Sequence, residues 1–117
     1  MEQNYDDQIR HIYNRFNARD IDAILIHLDK DVHWPNGWEG GFINGHDEVR
    51  DYWTRQWNEI EPFVEPVAIS LKENGKVVVE VYQVAKDKAG KLLFEGNLKH
   101  IYSYKDGLIK GMEIDDN

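Results

Sequence analysis

The sequence contains no cysteine and has fewer basic than acidic side chains. Without cysteine, the 117-residue chain can form no disulfide, no thiolate metal site and no cysteine nucleophile. Its 14 Lys and Arg residues stand against 22 Asp and Glu residues, which gives a formal net charge of -8. A field of that sign repels phosphate backbones and anionic lipid surfaces, so we expect neither a nucleic acid partner nor a membrane partner.

Long apolar runs are also missing. No stretch approaches the roughly 20 apolar residues that a membrane-spanning helix needs. The first ten residues, MEQNYDDQIR, are acidic where an export signal is basic and then apolar, so we expect a soluble, cytoplasmic protein. A chain of this length has room for one hydrophobic core, so residues 1–117 are predicted to form a single domain. The histidine spacing matches no zinc motif and no nucleotide motif is present, so we expect no metal and no cofactor.

The spacing of the apolar residues changes from helical to alternating along the chain. It predicts a first helix that ends at Asn17, a short second helix after Asp20 and a third helix that runs to about Asn58. A short strand, Val32–Pro35, precedes the third helix. From Phe63 onward the residues alternate, and short turns divide them into four strands of an antiparallel meander. This order predicts an α+β fold in which helices pack on one face of a strongly curved sheet.

Three segments carry a resemblance to a known superfamily. They are FNARDID at residues 16–22, NGHDEVRDYW at residues 44–53 and YKDGLI at residues 104–109. Together with the order of the elements, they resemble the nuclear transport factor 2-like superfamily, and within it the SnoaL-like and ketosteroid-isomerase-like branch. The resemblance implies a cone-shaped, cystatin-like α+β barrel, in which a curved antiparallel sheet wraps around a long helix beside two further N-terminal helices. It also implies a ligand cavity between the third helix and the concave face of the sheet.

The isomerases of this branch use a carboxylate base on the first strand, a tyrosine on the first helix and a protonated aspartate on the sheet. The resemblance places Trp34, Ile12 and Lys99 at these positions, so none of the three matches. The resemblance therefore implies the cavity and argues against isomerisation of the steroid type.

The resemblance also implies which residues bind a ligand. They are Tyr13, Phe16, Trp34, Trp53, Trp57, Lys99 and Met112. Trp38 is expected at the cavity mouth, while Val49 and Trp53 are expected in the core under the third helix. We expect a small apolar ligand with one polar or anionic group and, if the chain is an enzyme, cofactor-free proton transfer, isomerisation, cyclisation or dehydration. The alternative is a non-catalytic interaction module or structural dimer module whose cavity is filled by its own aromatic side chains.

His33 is the catalytic candidate, because a neutral imidazole can act as a general base near pH 7. The alternative is a surface histidine, since strand alternation points His33 away from the cavity if Trp34 points into it.

The orientation of Lys99 depends on the register of its hairpin. A loop of three residues, 88–90, sets Lys99 opposite Val79, whereas a loop of two residues sets it opposite Glu80. The resemblance implies that Lys99 faces the concave side, as a cavity cation for an anionic or carbonyl group. Ile101, Met112 and Ile114 are expected on the same side.

The other face of the sheet is predicted to be aromatic. Four residues alternate with the inward set: Tyr82, His100, Tyr102 and Tyr104. An uncovered aromatic surface favours association. In the superfamily this face commonly forms a dimer, so we expect a homodimer through the sheet.

Overall fold

The computed structural model describes residues 5–37 and 39–115, so Trp38 lies outside the described residues. In chain order the elements are α1 (Tyr5–Asn17), α2 (Ile21–Leu25), β1 (Leu28–Pro35), β2 (Phe42–Asn44), α3 (Gly45–Glu59), β3 (Ile60–Leu71), β4 (Val77–Asp87), β5 (Leu92–Lys105) and β6 (Leu108–Asp115). The predicted α+β fold, with three helices and four long final strands, is confirmed. Among the described residues, no helix is long and apolar enough to cross a membrane.

The six strands form one curved sheet in the order β2-β1-β6-β5-β4-β3. The sheet is mixed rather than wholly antiparallel, because β1 pairs with β6 in the parallel sense. A parallel pair needs a long connection between its strands, and here α3 and four strands supply it. Breaks in register in several strand pairs help the sheet to curve. The sheet does not close into a barrel, since β2 and β3 remain as its edges.

The hydrophobic core lies between the concave face of this sheet and the helices. Three valines of β4, Val77, Val79 and Val81, are fully buried on that face. Val49 and Trp53 of α3 are buried against it, so their predicted place in the core is confirmed.

On β5 the two faces are the reverse of the predicted ones. His100 lies opposite Ile114, and Tyr102 lies opposite Met112. Residues directly opposite each other in an antiparallel pair share a face. His100 and Tyr102 are both buried, so they face the concave side and Ile101 faces outward.

Tyr104 also faces the helices. Its hydroxyl donates to the Gln8 side chain at 2.8 Å, and its ring centroid lies 4.4 Å from that of Tyr5. Of the four aromatic residues predicted on the outer face, Tyr82 is the one that lies there, opposite Glu65. Association of two chains through the outer face stays a prediction, but three of the residues that suggested it belong to the interior.

The β4–β5 hairpin combines both registers that the sequence allows. At the turn, the Asp87 N–H donates to the Lys91 carbonyl at 2.9 Å, as a three-residue loop requires. Leu93 is then an extra residue in β5, since Lys86 pairs with Leu92 and the preceding residue of β4 pairs with Phe94. This bulge shifts all later pairs by one residue and reverses the facing of β5.

The edge strand β3 is protected along its first half. Pro62 and Pro66 have no N–H to offer at the open edge. Between them, the Asn17 side chain hydrogen-bonds to both backbone groups of Val64. Its Nδ2 donates to the Val64 carbonyl at 2.7 Å, and its Oδ1 accepts from the Val64 N–H at 3.0 Å. Asn17 therefore joins the end of α1 to the edge of the sheet and caps that edge.

Replacing Asn17 with alanine should lower the free energy of unfolding by about 1–3 kcal/mol, because two backbone groups of Val64 lose their partner. Urea denaturation at pH 7 measures this loss. Asn14→Ala is the matched control, since Asn14 is exposed on the same helix and should change stability by less than about 0.5 kcal/mol. Equal losses in the two variants would contradict the role of Asn17.

Candidate functional site

A cavity of about 570 Å³ lies between the concave face of the sheet and helices α1 and α3. Its volume falls in the range of small-molecule sites, about 300–1,000 Å³. Its walls are mainly aliphatic and aromatic, and they include Ile12, Phe16, Trp34, Tyr52, Trp53, Val64, Ala85, Leu98 and Met112. No Asp, Glu, Lys or Arg is among the described residues that line it.

Four large apolar side chains form the rim of this cavity while remaining between 40% and 52% exposed: Phe42, Leu93, Phe94 and Ile114. Leu93 is the bulge residue of β5, so the break in register brings one more apolar side chain to the opening. Exposed apolar side chains that cluster around a concavity mark a surface suited to an apolar partner.

At the buried end of the cavity, three polar side chains form a hydrogen-bonded chain that we call the inner cluster: Tyr13, His100 and Tyr102. The Tyr102 hydroxyl donates to the Tyr13 hydroxyl at 2.7 Å, and the Tyr13 Oη lies 2.8 Å from Nδ1 of His100. Tyr13 reaches the cluster from the inward face of α1, while the other two lie two residues apart on the inward face of β5. All three are buried and all three line the cavity.

Burial keeps the inner cluster uncharged. It lowers the pKa of His100 to about 4, so the imidazole is neutral at pH 7. Burial, together with the neighbouring phenols, raises the pKa of Tyr13 well above its ordinary value. The pKa of Tyr102 is also raised, again mainly by burial.

The hydrogen bonds of the cluster determine which imidazole nitrogen carries the proton. The Tyr13 hydroxyl has one proton and already accepts a hydrogen bond from Tyr102. It therefore donates its own proton to Nδ1 of His100. We therefore assign the neutral tautomer with hydrogen on Nε2. No hydrogen bond to this nitrogen is made by the described residues, so its N–H is available to a ligand in the cavity.

Such an N–H can polarise a carbonyl, since a neutral imidazole held in a dry site acts as an electrophile rather than as an acid. No carboxylate lines the described part of the cavity to act as a strong base beside it. Within residues 5–37 and 39–115, no three His, Asp or Glu side chains lie close enough together to hold a metal ion.

Five of the seven side chains expected to bind a ligand line the cavity: Tyr13, Phe16, Trp34, Trp53 and Met112. That these residues contact a ligand stays a prediction.

Trp57 is not among the lining residues, so its predicted place in the cavity is wrong. It lies one turn beyond Trp53 on α3, and the two rings stack with centroids 5.9 Å apart. Its other neighbours are the Phe16 ring at 5.2 Å and the guanidinium of Arg19, 5.2 Å above the indole. Trp57 supports the wall of the cavity from behind.

Lys99 is not a cavity cation, and that prediction is wrong. It lies opposite Glu80 on β4 and opposite Asp115 on β6, on the outer face of the sheet. Its neighbours in the chain, Leu98 and His100, are the residues that line the cavity. Two flanking carboxylates account for a lysine in the middle of a strand, and the expectation of an anionic ligand loses its support.

His33 is exposed and points away from the cavity, as alternation with Trp34 requires, so the catalytic candidate is wrong and the surface alternative holds. Its Nδ1 lies 2.8 Å from the Asn44 side-chain oxygen. Its ring stacks on Phe42 with centroids 4.3 Å apart.

The prediction that His100 and Tyr102 lie on the outer face is wrong, and the sequence pattern does not single out Gln83. The row of β-branched residues Val77, Val79 and Val81 was the signal that could have found them, because so apolar a row indicates the buried face of β4. The two-residue loop register then places Tyr102, His100 and Leu98 opposite that row.

Comparison with known proteins agrees with this architecture. Three helices on the concave face of an unclosed six-stranded sheet define the NTF2-like class of folds. The model of the SnoaL-like domain family matches residues 9–112, so the chain belongs to that family. No curated protein sequence matches the chain.

Several solved structures share the fold. An NTF2-like protein of unknown function from Burkholderia pseudomallei K96243 is 22% identical with a TM-score of 0.84, over 99% of this chain and 92% of that one. The epoxide hydrolase/cyclase-like enzyme SalBIII, described for pyran ring formation in the polyether salinomycin, is 17% identical with a TM-score of 0.79, over 96% and 89%. A Mycobacterium tuberculosis protein in complex with estradiol-17β-hemisuccinate is 16% identical with a TM-score of 0.78, over 92% and 88%. At these identities the likeness shows the fold alone.

Proposed function

We propose that this SnoaL-like protein binds an uncharged, mostly apolar small molecule in its cavity and acts on it as a cofactor-independent cyclase or isomerase. The observation that carries the proposal is the buried His100 at the cavity wall, neutral and held by Tyr13 so that Nε2–H is free for an acceptor oxygen. A cavity of about 570 Å³ argues against the alternative of a non-catalytic module whose aromatic side chains fill this space.

The ligand is uncharged because nothing in the described cavity wall would compensate a charge. No ionised side chain among the described residues lines the cavity, and an ion moved there from water would lose its hydration without gaining a counter-ion. A carbonyl or ether oxygen costs far less to bury and finds a hydrogen-bond donor in His100.

The chemistry that fits this site is an intramolecular addition. Nε2–H donates to a carbonyl or epoxide oxygen and stabilises the negative charge that develops there as a nucleophile of the same molecule attacks. The apolar walls hold the flexible ligand in a folded conformation. Much of the entropic cost of ring closure is therefore met when the ligand binds, before the reaction begins. The proton of the nucleophile ends on the same molecule, so the product is an isomer and no cofactor is consumed.

One of the structural relatives is consistent with this class of reaction, since SalBIII is described as an epoxide hydrolase/cyclase-like enzyme. Another, the Mycobacterium tuberculosis protein, is in complex with estradiol-17β-hemisuccinate. They support the proposal through the shared fold, while the hydrogen-bond donor is inferred from the inner cluster of this chain alone.

Binding of 4-acetylbiphenyl, compared with biphenyl, tests the role of His100. Quenching of tryptophan fluorescence reports binding, because Trp34 and Trp53 line the cavity. The ketone should bind the wild type about tenfold tighter than biphenyl, as one buried hydrogen bond allows. His100→Leu should remove most of this preference, and His100→Gln, which retains an N–H donor, should restore part of it.

Lys99→Met is the matched control, since Lys99 lies on the outer face and its loss should leave both affinities unchanged. Equal binding of ketone and hydrocarbon to the wild type, or no binding of either, would contradict the proposal.

A further inference from the structure

Gln83 is a polar residue in an otherwise apolar row. It lies on the concave face of β4, in line with Val79, Val81 and Ala85, and it lines the cavity. Its side-chain amide makes no hydrogen bond with any of the described residues. An amide in this position keeps both its donor and its acceptor capacity for a molecule inside the cavity.

The cavity next to Gln83 is kept open by a glycine. Gly96 lies directly opposite Gln83 on β5 and has no side chain to cover it. A Cβ at Gly96 would lie 3.4 Å from the Phe94 ring, in ordinary van der Waals contact, so a side chain at this position would occupy part of the space beside Gln83. The amide therefore faces a space that the neighbouring strand leaves free.

The distance between Gln83 and the inner cluster follows from the register of the sheet. His100 lies opposite Val79, and Gln83 lies four residues further along β4. At roughly 3.4 Å per residue, the two polar positions are about 14 Å apart along the strand. The inward residues between them, Val81 and Leu98, are apolar.

We propose that Gln83 forms a second polar subsite, so that the ligand is an elongated neutral molecule with an oxygen function near each end. One oxygen accepts from His100 and the other meets the Gln83 amide, with an apolar skeleton between them. This inference rests on the proposed function, because it uses His100 as the first contact.

The test compares 4-acetylbiphenyl with 4,4′-diacetylbiphenyl, which carries a second carbonyl at the opposite end of the same rigid skeleton. The wild type should bind the diketone about tenfold tighter. A factor of two in that ratio arises from the two equivalent orientations of the symmetric compound. Gln83→Leu should reduce the ratio to about twofold and change the affinity for 4-acetylbiphenyl much less than His100→Leu does.

Asn97→Leu is the matched control, since it removes an amide from an exposed position opposite Tyr82 on the outer face. It should leave the ratio at its wild-type value. His100→Leu should weaken the binding of both ketones.

The outcomes separate the two proposals. If 4-acetylbiphenyl binds through His100 but the diketone gains no more than twofold, or keeps its gain in Gln83→Leu, the subsite is wrong and the proposed function stands. If neither ketone binds the wild type, both the proposed function and the second subsite are wrong.

Discussion

Between pH 6.5 and pH 4 the protein should lose about 3 kcal/mol of its free energy of unfolding through His100 alone. The cause is burial, which lowers the pKa of this imidazole from 6.5 to about 4 in the folded state. The two phenols that face it, Tyr13 and Tyr102, stay neutral in this range and supply no charge to hold a proton on the ring. The folded protein must therefore keep His100 unprotonated while the unfolded chain does not.

The sign of the effect follows from proton binding. Below pH 6.5 the imidazole of the unfolded chain takes up a proton, whereas the folded imidazole does so only near pH 4. The unfolded state thus holds more protons across this window, and stability falls as the pH falls. Above pH 6.5 neither state protonates His100, and below pH 4 both do, so this residue adds no further slope outside the window.

Urea denaturation of the wild type and of His100→Gln at pH 7, 5.5 and 4 measures this contribution. Glutamine cannot titrate but keeps hydrogen-bonding atoms, so the variant should lose much less stability on acidification. Glu39 and Glu61, whose pKa values are lowered mainly by their hydrogen bonds to Arg55 and Lys88, affect both proteins equally and cancel in the comparison.

His27→Gln serves as the control for this comparison. Burial and, secondarily, the nearby His11 lower the pKa of His27, but this side chain is less buried than His100. Its removal should flatten the pH dependence only slightly. Parallel losses in the wild type and His100→Gln would show that His100 is not the residue that the pH destabilises.

The general fold was predictable because it depends on patterns that are local in the sequence. The helical spacing before Asn17 and the alternation after Phe63 each need only a few turns or residues to be recognised. The parallel pairing of β1 with β6 was not predictable in this way, since it joins Leu28 to Ile109 across most of the chain.

The site was only partly predictable, because alternation gives the relative but not the absolute facing of residues on a strand. Tyr13 and Trp34 line the cavity, and their contact with a ligand stays a prediction, whereas Lys99 and His100 exchanged places. The bulge at Leu93 accounts for this: the turn follows one register and the rest of the hairpin follows the other. A single inserted residue thus decides whether the cavity contains a lysine or a neutral histidine.

Replacing Trp53 with alanine should have the largest effect on stability, about 3–5 kcal/mol, because it removes the indole around which the aromatic packing is arranged. Trp53 is 2% exposed. Its ring meets Trp34 edge-on at 5.6 Å, meets Phe16 edge-on at 5.8 Å and stacks on Trp57 at 5.9 Å. The cavity on its other side leaves few atoms that could move in to fill the space.

Trp57→Ala is the control, since the same indole is removed from a half-buried position behind the wall and should cost about 1–2 kcal/mol. Urea denaturation compares the two losses, and 3-methylindole separates their causes. This analogue of the missing side chain should restore more stability to Trp53→Ala, whose vacated space lies between the rings of Phe16, Trp34 and Trp57, than it gives to the wild type or to Trp57→Ala. Equal losses, or equal rescue by the analogue, would contradict the larger role of Trp53 in the wall of the cavity.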